Sequence, residues 1–312
     1  MNTSMTIYDV ARRIRPHIHR TPVMTSSQIN QLSGASLYFK CENFQRMGAF
    51  KMRGATNAIL QLSPEQQAKG VVTHSSGNFA QALSLAARNL GVPAYIVMPS
   101  SAPAVKKAAV EGYGGIITEC EPTLEARQET AQRVQEETGA SFIHSSNNPQ
   151  VIRGQGTAAL ELLEDQPELF AIVVPVGGGG LIGGTALAAA EVASGCQVIG
   201  SEPFEVDDAY RSLRSGKIES NTTTKTIADG LKVQLGSNNF PIIQGHVKDI
   251  IRVEEHEIIS AMRLIWERMK IVVEPSSAVA LAAVLRDKDK FEEKKVGIIL
   301  SGGNVDLGKL PF

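Results

Sequence analysis

The stretch Ala171-Ile-Val-Val-Pro-Val-Gly-Gly-Gly-Gly-Leu-Ile-Gly-Gly-Thr-Ala186 leaves this chain few choices of fold. An apolar β-branched run breaks at Gly177 into four glycines and resumes with Leu181, Ile182 and a long Ala-rich segment. That pattern reads as strand, tight loop, helix. Without Cβ atoms the loop backbone can approach a ligand closely, and the N–H groups of Gly177, Gly178, Gly179 and Gly180 can converge on one point. The N-terminus of the following helix adds partial positive charge, so the expected guest is an anion, most simply a phosphate.

The rest of the chain supplies a frame for such a loop. Strands are expected at 35–42, 70–74, 94–98, 115–119, 140–144, 171–176, 197–202 and 295–300. Helical patterns separate the four strands between residues 70 and 144, which predicts βαβ units and a parallel sheet. The segment 215–226, rich in Ser, Thr and Asn, reads as a loop. The fold class expected is therefore α/β and two-lobed, each lobe a mostly parallel sheet flanked by helices, with ligands beyond the carboxyl ends of the strands.

Composition narrows the partners. With 31 Lys and Arg against 32 Asp and Glu, the net charge of −1 gives no reason to expect nucleic acid or an anionic membrane surface. No apolar run is long enough to span a bilayer and the start of the chain lacks a signal-peptide core, so a cytoplasmic location is expected. Cys41, Cys120 and Cys196 are scattered without CxxC spacing, which argues for free thiols rather than a disulfide frame or a zinc site.

Two chemistries fit the glycine loop at this point. Gly178-x-Gly180-x-x-Gly183 is a literal dinucleotide fingerprint, and Glu202 ends the next strand where a ribose-binding acid would sit, which would make a nicotinamide-dependent dehydrogenase. A Walker loop is excluded, because no Gly-Lys-Ser/Thr follows. The competing reading rests on three further small, polar turns: Gly48-Ala-Phe-Lys-Met-Arg-Gly54, Ser75-Ser-Gly-Asn78 and Ser301-Gly-Gly-Asn304. All four turns fall where they would line one cleft. A lysine amine there forms a Schiff base with an aldehyde, and a phosphate-anchored aldehyde used in amino-acid chemistry is pyridoxal phosphate.

The ordered set GAFKMRGA, THSSGNFAQA, VPVGGGGLIGG, TIADG, VEPSSAV and SGGNVDL resembles the serine racemase and serine/threonine dehydratase family across nearly the whole chain. Its members are pyridoxal-phosphate enzymes of the tryptophan-synthase β-subunit fold, and the runs ending at Lys51 and Pro311 look most like 3-hydroxyaspartate dehydratases. The resemblance implies a homodimer with a larger cofactor-binding lobe, residues 1–62 and 146–312, and a smaller lobe, residues 63–145. It implies that Lys51 is the Schiff-base lysine and the base for the α-proton, that Phe50 packs on the cofactor ring, that Asn78 bonds the ring hydroxyl and that Ser301 bonds the ring nitrogen. Serine at that nitrogen does not force ring protonation, which weakens the electron sink and favours prompt loss of a β-leaving group. Removal of water and ammonia from serine, threonine or 3-hydroxyaspartate would then give a 2-oxo acid.

The remaining roles follow from the same resemblance. Ser75, Ser76 and Asn78 open a helix whose N–H groups suit the substrate carboxylate, and Ser76 is placed opposite Lys51, where it would serve as a second base for racemisation. Arg127 matches an arginine that approaches an acidic ligand and would take a second carboxylate through paired donors; the alternative is a surface arginine beside Glu125 or Glu129. Glu202, the Val206 carbonyl and Asp208 match a divalent-cation loop whose oxygen donors suit Mg2+ or Ca2+. Two departures limit the transfer of substrate preference: Ala49 stands where many relatives have serine, and Phe79 replaces a histidine. The chain end at Phe312 leaves no room for a C-terminal regulatory domain, and a non-catalytic amino-acid sensor is disfavoured by the presence of Lys51.

Overall fold

The computed structural model describes residues 5–312. Two sheets organise them. The larger has the strands β1 (Val23–Met24), β2 (Ser36–Cys41), β7 (Ala171–Pro175), β8 (Gln197–Pro203), β9 (Val247–Val253) and β10 (Lys295–Leu300), in the spatial order β1-β2-β10-β7-β8-β9. The smaller comprises β3 (Val71–His74), β4 (Ala94–Pro99), β5 (Ile116–Cys120) and β6 (Ser141–Phe142), in the order β5-β4-β3-β6. Every pairing is parallel except β1 with β2. Helices on both faces explain why β7 is buried at all five positions and reads as a continuous apolar run rather than an alternation.

Strand order decides what meets at the cleft. β2, β10 and β7 are neighbours, with Leu300 opposite Cys41 and Ile298 opposite Val173. The turns that leave their carboxyl ends therefore lie side by side, although their sequence positions are far apart. Those turns carry Lys51, Ser301 and the four glycines. All eight strands expected from the sequence form, with ends shifted by a few residues; β1 and β9 were not expected. In β9, Val247-Lys-Asp-Ile-Ile-Arg-Val253 mixes charges into the apolar run because the strand lies at the sheet edge.

Three helices link the lysine turn to the glycine turn. The Lys51–Leu60 helix crosses the Pro149–Asp165 helix, which crosses the Gly180–Val192 helix. At the first crossing a Cβ on Gly154 would fall 2.6 Å from Gly54 Cα and 2.8 Å from the Arg53 carbonyl. At the second, a Cβ on Gly184 would fall 3.0 Å from Gly156 Cα. Only glycine permits backbones to approach this closely.

A buried ionic network fixes the first turn of the Lys51–Leu60 helix. Arg53 donates to Glu42 at 2.7 and 2.8 Å, to Glu161 at 2.7 and 2.8 Å and to Thr157 at 3.2 Å. Lys40 completes it, donating to Glu161 at 2.7 Å and to the Thr21 carbonyl at 2.6 Å. Arg53, Lys40 and Glu42 are fully buried and Glu161 nearly so. The two cations balance the two carboxylates, and each oxygen is bonded, which is what makes such burial tolerable.

No helix among the described residues is long and apolar enough to cross a membrane. Cys41, Cys120 and Cys196 are all unpaired thiols.

Candidate active site

Lys51 is presented by a sharp reversal. Met47 and Gly48 take φ of 56° and 78°, after which Ala49 pairs with Gly302 and the Phe50 N–H donates to the Ser301 carbonyl at 3.0 Å. The β2 turn is thus stitched to the β10 turn immediately before the lysine. The half-buried Lys51 Nζ donates to the Ser145 carbonyl at 3.0 Å and lies 4.9 Å from the Phe50 ring centre and 5.9 Å from that of Phe79. Burial lowers its pKa to about 8, against a smaller opposing pull from the Glu274 carboxylate. An amine in that range holds a useful uncharged fraction near neutral pH.

The glycine turn is built to receive an anion. Among the described residues, no protein acceptor receives the N–H of Gly177, Gly178, Gly179 or Gly180, although all four glycines are buried. Buried backbone donors are nearly always paired. Gly179 has φ of 85°, and Cβ atoms on Gly178 or Gly180 would strike Ser146. Asn239 braces the turn, its Nδ2 donating to the Gly178 carbonyl at 2.8 Å and the Ser146 carbonyl at 2.9 Å. Four convergent unpaired donors at a helix start fit the phosphate of pyridoxal phosphate, and the Lys51 amine fits its aldehyde.

The opposite side of the cleft is bridged by carboxamides. Asn78 Nδ2 donates to both Glu274 oxygens at 3.0 Å, and Asn304 Nδ2 donates to Asn78 Oδ1 at 2.9 Å. Burial raises the Glu274 pKa to about 7, with the Asn78 bond working against that rise. Ser301 is buried, with its hydroxyl 3.1 Å from Ser277 Oγ. Ser277 also donates to the Gly302 carbonyl at 2.6 Å and accepts from its N–H at 2.7 Å, so the β10 turn is held on a helix start. Asn78 and Ser301 therefore both belong to this side of the cleft, and Glu274 joins them.

Ser75 and Ser76 follow β3 and precede the Asn78–Leu90 helix, both half-buried. The N–H groups of Ser76 and Asn78 have no protein acceptor among the described residues. Beside them lie His74 and His144, edge to face at 6.0 Å. His144 Nδ1 accepts from the Ser146 and Asn147 N–H groups at 3.2 and 2.9 Å. Burial, then the charges of His74 and Lys51, hold its pKa at about 4, so the ring is neutral. Arg127 is half-buried, and its Nε donates to the Thr123 carbonyl at 3.2 Å. Its charge is close enough to His74 to add to the lowering that burial imposes on that ring. Arg127 lies near the start of the Leu124–Thr138 helix, which packs against β3.

Glu202 and Asp208 sit together away from the lysine, both fully buried, with buried Val206 between them in sequence. Glu202 accepts from the Ala209 and Tyr210 N–H groups, and Asp208 from the Leu235 N–H at 2.7 Å and the Asn221 amide. Burial, reinforced by Asp208, pushes the Glu202 pKa well above the usual carboxylate range. Neither carboxylate bonds a Lys or Arg side chain. Among the described residues no cluster of three or more His, Cys, Asp or Glu side chains is arranged to hold a metal. Glu202 is thus bonded to the backbone of its own loop.

The sequence reading gave no role to Glu274, Ser146 or Asn239. Glu274 lies within the VEPSSAV motif that carried part of the resemblance, which was the available signal. Ser146 and Asn239 carried none.

Known proteins resemble this chain over nearly its whole length. The sequence profile of the "Pyridoxal-phosphate dependent enzyme" family matches residues 14–302. The chain is 53% identical to the β-hydroxyaspartate dehydratase of Paracoccus denitrificans over 300 residues, covering 96% of this chain and 95% of that one. It is 48% identical to the L-threo-3-hydroxyaspartate ammonia-lyase of Saccharomyces cerevisiae over 302 residues, covering 96% and 93%. The crystal structure of serine racemase from Dictyostelium discoideum superposes with a TM-score of 0.93 at 53% identity, covering 96% and 98%. The dinucleotide reading of Gly178-x-Gly-x-x-Gly183 falls with these matches, and the chain belongs to the pyridoxal-phosphate-dependent enzyme family.

Proposed function

We propose that this protein is an ammonia-lyase that removes water and ammonia from a small 3-hydroxy amino acid, with 3-hydroxyaspartate preferred and racemisation as a second activity. The observation that carries the reading is the Lys51 amine, tuned to about 8, in the same cleft as four unpaired glycine N–H groups. Gly177, Gly178, Gly179 and Gly180 would hold the phosphate, Phe50 would pack on the ring, and Ser301 and Asn78 would address the ring nitrogen and hydroxyl. Bound pyridoxal phosphate supplies a conjugated ring that accepts the electron pair left on Cα. The free N–H groups of Ser76 and Asn78 receive the substrate α-carboxylate at a helix N-terminus. Lys51 Nζ takes the α-proton, and Ser76 Oγ returns one to the opposite face when the configuration inverts. Loss of the β-hydroxyl as water leaves an enamine that hydrolyses to a 2-oxo acid and ammonia.

Arg127 selects the substrate in this scheme. Its NH1 and NH2 groups bond no protein acceptor among the described residues, so they are free for a second carboxylate. Ammonia release from the threo and erythro 3-hydroxyaspartates, serine and threonine tests the whole reading. The wild-type protein should favour one hydroxyaspartate isomer. Arg127→Lys should lose about 30-fold to 100-fold in kcat/KM for it, and change serine turnover by less than about threefold. Equal losses on both substrates would remove Arg127 from the pocket, and no ammonia from any of them would reject the lyase.

Glu202, the Val206 carbonyl and Asp208 would hold Mg2+ or Ca2+ as a structural ion, since all the donors are oxygens. Chelation should lower the melting temperature by several degrees, with either ion restoring it, and Asp208→Asn should melt low whether or not the ion is added. A chelator-insensitive wild type argues against the site. Residues 63–145 form the smaller lobe in this reading, facing 1–62 and 146–312. Self-association as a homodimer would cover the exposed Phe44, Val272 and Phe312, whose segments are joined by the Asn43–Val272 bond, the Trp266 bond to Val273 and the Trp266–Phe312 ring contact. Three unpaired thiols accord with a cytoplasmic location.

A further inference from the structure

Ser146 presses against the glycine turn at Gly178 and Gly180, while Leu235 and Asn239 press against it at Gly179. Ser146 is 3% exposed, and its Oγ has no hydrogen-bond partner. Its backbone is fixed at both ends, the N–H donating to His144 Nδ1 at 3.2 Å and the carbonyl accepting from Asn239 Nδ2 at 2.9 Å. The backbone that carries the hydroxyl is thus fixed beside the glycine turn. The serine's nearest glycine is Gly178: a Cβ there would collide with Oγ and lie 2.9 Å from Ser146 Cβ. A Cβ on Gly180 would lie 3.1 Å from Ser146 Cα. The serine therefore leans on two of the four glycines whose N–H groups are unpaired. A hydroxyl buried without a partner costs free energy in the protein alone. Beside four donors that lack an acceptor, the missing group is one anion able to satisfy all of them.

We propose that Ser146 Oγ donates a hydrogen bond to the cofactor phosphate, as a fifth donor supplied from the loop after β6 rather than from the glycine turn. This inference rests on the phosphate reading of that turn. It assigns Ser146 to the phosphate group and not to the ring or the substrate. Because Ser146 follows Ser145, whose carbonyl holds the Lys51 amine, the same two-residue segment would register phosphate and lysine against each other.

The test is equilibrium binding of pyridoxal phosphate and of pyridoxal, which lacks the phosphate, to the cofactor-free wild type and Ser146→Ala, followed by absorbance. Melting of each cofactor-free protein is measured in parallel. Wild type should bind pyridoxal phosphate far more tightly than pyridoxal. Ser146→Ala should weaken pyridoxal phosphate about tenfold and leave pyridoxal within about twofold. The cofactor-free variant should melt no lower than wild type, because the substitution removes an unsatisfied hydroxyl. Unchanged affinity for pyridoxal phosphate overturns the inference, and so does an equal loss for both ligands, which would place Ser146 at the ring or the hinge. A cofactor-free variant that melts lower would show a structural bond instead. Failure of the wild type to bind pyridoxal phosphate would reject the cofactor reading itself.

Discussion

Replacing Lys51 with methionine should lower turnover by about 10³-fold to 10⁴-fold while leaving the cofactor-free protein at least as stable as the wild type. The activity loss follows from removing the amine that donates to the Ser145 carbonyl beside the Phe50 ring. The stability result follows from the amine's pKa, which burial lowers from 10.5 to about 8. Below about pH 8 the folded protein must keep a charge in a site that disfavours it, so methionine gains its full advantage there. Between about pH 8 and 10.5 the unfolded chain still binds the proton that the folded protein has lost, so wild-type stability rises with pH relative to the variant. Denaturant titrations of both cofactor-free proteins at pH 7 and pH 10 would check this, with the gap expected to narrow at the higher pH. A variant that keeps more than a tenth of wild-type turnover would end the catalytic assignment of Lys51. A gap that widens with pH would contradict the burial argument.

The second large effect concerns stability and lies two residues further along the same helix. Arg53→Ala should cost about 3–5 kcal/mol, because it leaves Glu42 and Glu161 facing each other in the interior with only Lys40 to balance them. Replacing the guanidinium with lysine recovers the charge but not the fork that serves two carboxylates at once, so Arg53→Lys should recover only part of the loss. The denaturant midpoint is the readout. An Arg53→Ala protein within about 1 kcal/mol of wild type would mean that water or rearrangement satisfies the two carboxylates.

The parts of the site that were legible in the sequence are those whose chemistry is local. Four consecutive glycines after an apolar run announce an anion loop because the strand, the turn and the helix are consecutive in the chain. Lys51, Ser75, Ser76 and Asn78 were legible for the same reason, each lying in a short polar turn between regular elements. The unread parts depend on contacts between distant segments. Glu274 meets Asn78 across 196 positions, and Ser146 meets the glycine turn only because the loop after β6 folds against it. Nothing in the composition of Ser145-Ser-Asn147 distinguishes it from an ordinary loop. The role of Arg53 depends on Glu42 and Glu161, the latter 108 positions away, and β9 escaped notice because an edge strand can carry charge on its open side.

The glycine crossings at residues 54, 154, 156 and 184 make the interval between amine and anion cradle a matter of gauge rather than of loop conformation. Three backbones in direct contact have no side chains between them to compress or expand, so a tool-room spacer is the nearest likeness. Reshaping this protein for a longer or bulkier substrate should therefore succeed in the turns after β3 to β6, which set what enters, and fail wherever it enlarges one of those four residues. The same gauge would let the smaller sheet carry new specificities across related proteins while the chemistry behind it stays in register.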